Sequence, residues 1–303
     1  PQFQKDAGLQ VHHSNLCSEI TLATDDERTA VCCLSSVNLE EYDEWKDNDQ
    51  FIPDLVRMLD NVLTHFIENA PDALYRAKLS AHRERSIGLG AMGFHAYLQR
   101  HNIPFESVLA KGANNRMFTR IKEEAVRATR QLATERGECP DGEGYGVRNA
   151  HLLSVAPNAS SSIICGNTSP SIEPYRANAF TQKTKSGSSL LKNEYLQHAL
   201  QEIGMDTEEV WKSVITNSGS VQQLEFLDEY TKDVFKTAVE IDQKWIIEMA
   251  GDRQQHICQS QSLNVFFPAD VSKQELHAIH MMAWKQKVKT LYYLRSEAIK
   301  RAE

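Results

Sequence analysis

Near the start of the chain the apolar residues come in short runs of the kind strands use. "NLCSEITL" (residues 15–22) and "TAVCCLSSVNL" (residues 29–39), separated by the polar turn "ATDDER", predict two strands. From about Asp54 the period lengthens. Leu55, Leu59, Val62, Leu63, Phe66 and Ile67 fall on one stripe of a helix that Pro53 and Asp54 introduce. A second helix is predicted from about Met117 to Arg136, stopping at Gly137, and a long one over roughly Glu229 to Met249. "SLNVFF" (residues 262–267) reads as a strand. Ser272 and Glu275 form a capping box that opens a helix ending near Lys287, and "KTLYYL" (residues 289–294) reads as a last strand. Strands alternating with helices predict an α/β architecture. No repeat and no Pro/Gly/Ser-rich linker divides residues 1–303, so a single unit is expected.

The first run carries an oddity. Asn15, Cys17 and Glu19 stand two apart, and in a strand such residues share a face. An amide, a thiol and a carboxylate would then line one side of an otherwise apolar segment, which asks for a chemical reason.

Composition narrows the choices. The net charge of -8 speaks against a general nucleic-acid binder, which carries a basic patch. No apolar run approaches the ~20 residues that span a membrane, and the start "PQFQKDAGLQ" has no signal-peptide layout. A soluble cytoplasmic protein is expected. The six cysteines form no CxxC, so in a reducing compartment they are expected as free thiols. Cys139, Cys165 and Cys258 read as small buried hydrophobes, as do Cys32 and Cys33 inside their apolar run. A redox-active thiol there would need the two first strands to be neighbours.

Other patterns are weaker. Gly88-x-Gly90-x-x-Gly93 has dinucleotide-binding spacing, but "AKLSAHRERS" before it is charged and helix-like, so a small-residue helix face is expected instead. Glu194 with His198, and His277 with His280, make no full ligand set, and no metal is expected. "APNASSSIICGN" (residues 156–167), after the apolar "HLLSV", fits either a phosphate-holding turn or a Ser-rich helix cap. Adjacent Tyr292 and Tyr293 would, in a strand, put one ring in the core and one outside.

Together, "NLCSEI", "CCLSSVNL", "PNASSS…SIEPYRAN", "QSQSLNVFF" and "WKQKVKTLYYLRS" occur in the order and context of the large (α, catalytic) subunit of class I ribonucleotide reductase. Nearly the whole chain resembles the C-terminal half of that subunit. The resemblance implies the second half of a ten-stranded α/β barrel, with an active-site finger loop and C-terminal helices. By position Cys17 matches the cysteine that becomes a thiyl radical at the tip of the loop and abstracts the 3′-hydrogen of a ribonucleoside diphosphate. Glu19 matches the base for the 3′-hydroxyl, and Asn15 the amide that orients the substrate. Cys32 matches one thiol of the reducing pair; Cys33 falls where the family has another residue. Tyr292 and Tyr293 match the tyrosines that relay the radical. Pro157, Asn158, Ala159, Ser160 and Ser161 match the loop that cradles the diphosphate. The chemistry suits the residues, since a 3′-hydroxyl needs a base within reach and a radical needs protection from water.

The resemblance also implies what must come from elsewhere. A tyrosyl or metal-held radical is expected from a β subunit, and electrons from an external dithiol of thioredoxin or glutaredoxin type. The second reducing cysteine, the specificity loops, any ATP cone and the C-terminal shuttle cysteines lie outside this stretch. An N-terminal α-subunit fragment is therefore an expected partner, and the isolated chain is expected to be inactive. A split gene, a processing product or an engineered piece would each account for this. Two other readings are a cobalamin-dependent class II reductase fragment, in which the tyrosine pair would have no use, and a non-catalytic fragment that binds other subunits.

Overall fold

The computed structural model describes residues 2–184 and 187–296. After α1 (Gln2–Asp6), residues 7–32 run without regular structure to β1 (Cys33–Asn38). Helices α2 (Tyr42–Trp45), α3 (Phe51–Asn69) and α4 (Tyr75–Glu84) lead to β2 (Ile87–Met92), and α5 (Phe94–Arg100) and α6 (Val108–Arg136) lead on to an extended segment at 151–155. Then come α7 (Ser161–Ile164), a hairpin of β3 (Ala179–Thr184) and β4 (Gly187–Lys192), and α8 (Glu194–Glu202), α9 (Glu208–Thr216), α10 (Glu229–Val234) and α11 (Gln243–Gln254). β5 (Val265–Phe267), α12 (Lys273–Lys285) and β6 (Leu294–Ser296) close the described chain.

The central staves all run parallel. β1 pairs with β2 in the register Cys33↔Ile87 to Asn38↔Met92. Leu89 bridges to Leu153, Val155 bridges to Gln261, and β5 pairs with β6. Parallel neighbours need long crossovers, and the helices between them supply these. β1 and β6 have a free edge among the described residues.

Two glycines set the spacing of the staves. A Cβ on Gly90 would lie 2.4 Å from the Ser154 carbonyl oxygen, and one on Gly88 would lie 2.4 Å from Leu34 Cδ2 and 3.1 Å from Cys32 Sγ. Gly88 and Gly90 thus lie in a buried strand and not on the helix face expected from sequence, while Gly93, at φ +81°, caps α5. Its small residues let neighbouring backbones approach.

One core underlies the staves. Val56, Leu59 and Leu63 of α3 and Phe118, Ile121 and Ala125 of α6 belong to the same buried cluster. Each large side chain buried there contributes about 1.5–3 kcal/mol. Val62, expected on that stripe, is instead exposed, and Asp60 is fully buried. Burial would push the Asp60 carboxyl up, but Arg85, 2.7 Å away, with Arg148 and Arg136, holds it below its usual value. A smaller cluster of Leu196, Leu200, Trp211, Val214 and Phe235 packs the hairpin against α8 and α9.

Several other expectations change. "NLCSEITL" is a turn within irregular chain, and β1 begins only at Cys33. α3 starts at Phe51 and α6 at Val108, where the Ser107 hydroxyl accepts from Ala110 N at 3.1 Å. The long helix expected over Glu229–Met249 is α10 and α11. Between them Glu240 accepts from Thr237 N and Oγ1 at 2.8 and 2.9 Å, and Asp242 caps α11 by accepting from Lys244 N at 3.0 Å. Such local bonds compete with helix continuation. Only Leu294 of "KTLYYL" lies in β6. The Ser272 cap and Gly137 stop occur as expected. No helix among the described residues is long and apolar enough to cross a membrane.

Candidate active site

Residues 15–20 close on themselves. Ser18 N donates to Asn15 O at 3.0 Å, and Asn15 N to Ile20 O at 3.3 Å. The Asn15 side chain works at both ends, with Oδ1 accepting from Ile20 N at 3.0 Å and Nδ2 donating to Glu19 Oε2 at 2.9 Å. Ser18 adopts φ +69°, the left-handed conformation of tight turns. Asn15, Cys17 and Glu19 therefore do not share a strand face; a turn gathers them.

The turn is anchored on the staves. Glu19 O accepts from Ser154 Oγ at 2.8 Å and Ser260 N at 2.9 Å, and Ser18 O accepts from Thr290 Oγ1 at 2.9 Å. The Glu19 side chain is buried, and its Oε2 also contacts Ser262 Oγ at 3.0 Å. Ser262 Oγ reaches the Cys17 carbonyl too, and has one hydrogen to share between these acceptors. Leu16, at the tip, is 87% exposed.

Cys17 meets the far end of the chain. Its thiol donates to Tyr292 Oη at 3.4 Å. The Tyr292 and Tyr293 rings lie against one another, with centroids 4.0 Å apart at 39°. They do not face opposite ways as strand geometry predicts, because both precede β6. The Arg295 guanidinium sits 4.2 Å from the centroid of the Tyr293 ring, which is 42% exposed. Contact with Cys17, then with Tyr293, raises the Tyr292 phenol above its usual range, so it keeps its proton at neutral pH. A continuous aromatic path thus leads from the surface to the Cys17 thiol.

Cys32 is joined to the same turn by Gln259. Gln259 Nε2 donates to Cys32 Sγ at 3.5 Å and to Ile87 O at 3.1 Å, while its Oε1 accepts from Thr21 N at 3.2 Å. Burial pushes the Cys32 thiol up to about 12. Cys33 is half-buried and raised by the same cause. Cys139 is buried as expected, but Cys165 is exposed. Half-buried Cys258 accepts from Leu152 N and Leu153 N at 3.2 and 3.3 Å. The thiols of Cys165 and Cys258 are thus not the simple buried hydrophobes expected.

Pro157–Ser161 follow the stave at 151–155. Asn158, at φ +52°, donates from Nδ2 to Ser36 Oγ on β1 at 3.0 Å and to Ser161 Oγ at 3.2 Å. Ala159 and Ser160 are exposed, and α7 begins at Ser161, where first-turn N–H groups have no partner within the helix. A cavity of about 470 Å³ is lined by Pro157, Ala159, Ser162, Glu173, Asn264 and Tyr292, among others. Pro157 and Ala159 of the phosphate-loop candidates and Tyr292 of the tyrosine pair therefore border one space.

Reading the residues alone missed Ser154, Gln259, Ser262, Asn264 and Glu173. The signal was present in "QSQSLN", a run of polar residues before an apolar strand, of which Gln259 to Ser262 are fully buried. Polar groups so deep are there to make hydrogen bonds.

The family model for the ribonucleotide reductase barrel domain matches residues 2–143 and 140–294. The ribonucleoside-diphosphate reductase large subunit of Invertebrate iridescent virus 6 is 55% identical over 291 residues, 95% of this chain and 30% of the relative. A putative large subunit of Frog virus 3 (isolate Goorha) is 53% identical over 295 residues, 96% of this chain and 52% of the relative. The chain spans about half or less of these relatives' length. Among solved structures, the Actinobacillus ureae class Id ribonucleotide reductase alpha subunit superposes with a TM-score of 0.93 at 41% identity, covering 98% of this chain and 56% of that one.

Proposed function

The chain belongs to the ribonucleotide reductase barrel-domain family, and on that premise we propose that it carries the radical cysteine, the base and the phosphate loop of a class I ribonucleoside-diphosphate reductase. The observation that carries this reading is the contact of the Cys17 thiol with the Tyr292 hydroxyl at 3.4 Å, beside a Glu19 carboxylate held by Asn15 at 2.9 Å.

The substrate is a ribonucleoside diphosphate. Cys17, as a thiyl radical, takes the 3′-hydrogen, breaking C–H and forming S–H. Glu19 accepts the proton of the 3′-hydroxyl, and Asn15 orients the sugar. Cys32 and a second thiol outside residues 1–303 supply two electrons and two hydrogens. One hydrogen leaves with the 2′-hydroxyl as water and the other ends on C2′, while the two sulfurs join as a disulfide. Cys17 then returns its hydrogen to C3′ and Glu19 its proton to the 3′-oxygen, which restores the 3′-hydroxyl, the thiyl radical and the carboxylate. A thiol pushed up to about 12 by burial keeps the proton this step requires. In the loop Pro157–Ser161, the backbone N–H groups after the proline and the hydroxyls of Ser160 and Ser161 hold the diphosphate.

The oxidising equivalent enters from a radical-generating β subunit, whose tyrosyl or metal-held radical supplies one-electron oxidation. Exposed Tyr293 and then Tyr292 pass it inward. A thioredoxin- or glutaredoxin-type dithiol in the cytoplasm reduces the Cys32 disulfide after each cycle. The free edges of β1 and β6 fit a barrel completed by an N-terminal α half, whether on this polypeptide or on another.

The test is deoxyribonucleotide formation by the complete assembly of barrel and β subunit. Cys17→Ala should abolish it, and residues 1–303 with β alone should give none. Unchanged turnover by Cys17→Ala would overturn the proposal.

A further inference from the structure

Glu173 is a carboxyl group 2% exposed, at the edge of the cavity that Tyr292 borders. Its Oε1 accepts from Asn264 Nδ2 at 2.5 Å, and Asn264 Oδ1 accepts from Tyr293 N at 3.0 Å. The same stretch of backbone is fixed on both sides. Tyr292 N donates to Leu263 O at 2.8 Å, and Val265 N donates to Tyr293 O at 3.0 Å. Asn264 lies between Leu263 and Val265, so its side chain completes a clamp around the tyrosine pair. Burial raises the Glu173 carboxyl, and even with Arg176 and Arg295, whose guanidinium covers the Tyr293 ring at 4.2 Å, pulling it down, it stands at about 7. An amide alone could turn either way. An ionised carboxylate only accepts, so it takes the NH2 side of Asn264 and leaves the amide oxygen to the Tyr293 N–H, which is the arrangement the two bonds show.

We propose that Glu173 is a positioning residue for radical transfer: through Asn264 it holds the Tyr293 backbone, and with it the stacked pair that sets Tyr292 against the Cys17 thiol. The inference rests on the relay reading of the two tyrosines and adds to it the group that keeps the relay in register. Radical transfer between aromatic groups is sensitive to distance, and a misplacement of about 1 Å can cost on the order of 10²-fold in rate. Glu173 does not need to touch substrate to matter.

The experiment is steady-state kinetics on the complete barrel with its β subunit. Glu173→Leu should lower kcat by roughly tenfold to 10²-fold with the KM for the ribonucleoside diphosphate within about twofold of the wild type. Glu173→Gln, whose amide oxygen still accepts from Asn264, should restore most of that loss. Asn264→Ala should reproduce the Leu variant in kcat. A raised KM with unchanged kcat would make Glu173 a substrate-binding group and overturn the inference, as would wild-type kinetics in the Leu variant. Tyr292→Phe is measured in parallel. If it is inactive while Glu173→Leu is normal, this inference fails alone; if Tyr292→Phe is fully active, the relay reading fails and takes the inference with it.

Discussion

The Cys17 thiol and the Tyr292 hydroxyl lie 3.4 Å apart although 275 residues separate them in the chain. The contact exists because the first turn and the last stave both dock on the segment 259–265. Ser260 N and Ser262 Oγ hold Glu19, while Leu263 O and Val265 N hold the tyrosine backbone. The two ends of the described chain thus converge on a single polar run.

Glu19 is buried, with Asn15 and Ser262 as its side-chain partners. In the complete assembly Glu19→Gln keeps the size and the hydrogen bonds but removes the base. Steady-state assays should show kcat lower by about 10²–10⁴-fold. A change of only a few fold would remove Glu19 from the proton step.

Cys32→Ser should separate initiation from reduction. On the proposed reading, radical transfer to Cys17 does not pass through Cys32, whereas turnover consumes the Cys32 thiol. Rapid quenching should find loss of the β-subunit radical on mixing with substrate, with no sustained deoxyribonucleotide formation. Because burial pushes the Cys32 thiol up to about 12, its alkylation, read peptide by peptide, should stay slow through pH 9 and rise only at higher pH. A midpoint near the ordinary cysteine value of about 8.5 would contradict this environment.

Ser160→Ala combined with Ser161→Ala removes two hydroxyls from the loop that borders the cavity. The KM for a ribonucleoside diphosphate should rise by roughly tenfold, with kcat little changed, as expected for about 1–3 kcal/mol of lost bonding to a charged group. An unchanged KM would place the diphosphate elsewhere.

Gly90→Ala tests the strand reading of the glycine-spaced stretch. The new methyl carbon would meet a backbone oxygen at 2.4 Å, and overpacking of this kind costs about 1–3 kcal/mol or more. Urea unfolding should show the loss directly. A variant as stable as the wild type would mean that the staves are not packed this closely.

Much of the architecture could be read from apolar periodicity. The helices after Asp54 and Met117, the Ser272 cap and the second half of the "SLNVFF" strand, which spans only Val265–Phe267, follow from residues close in sequence. The errors have two causes, tertiary contact and local side-chain bonds that compete with regular structure. "NLCSEITL" has strand-like alternation but becomes a turn, because Asn15 bonds its own loop and Glu19 bonds Ser154, Ser260 and Ser262. Gly88 and Gly90 are small because neighbouring staves pass close by, which no local pattern reveals. The helix expected from Glu229 breaks where Thr237, Glu240 and Asp242 satisfy backbone groups themselves. Motif resemblance singled out Cys17, Glu19, Tyr292 and the phosphate-loop candidates. Glu173, Gln259 and Ser262 make their bonds with partners far away in sequence and became visible only once the chain was folded.

The central claim is that oxidation reaches Cys17 through Tyr292, and the most direct measurement is deoxyribonucleotide formation by the complete assembly carrying Tyr292→Phe. The substitution removes only the hydroxyl that meets the thiol. Turnover should fall to background, with thermal stability and ribonucleoside diphosphate binding at wild-type levels. Turnover near the wild-type rate would contradict the account.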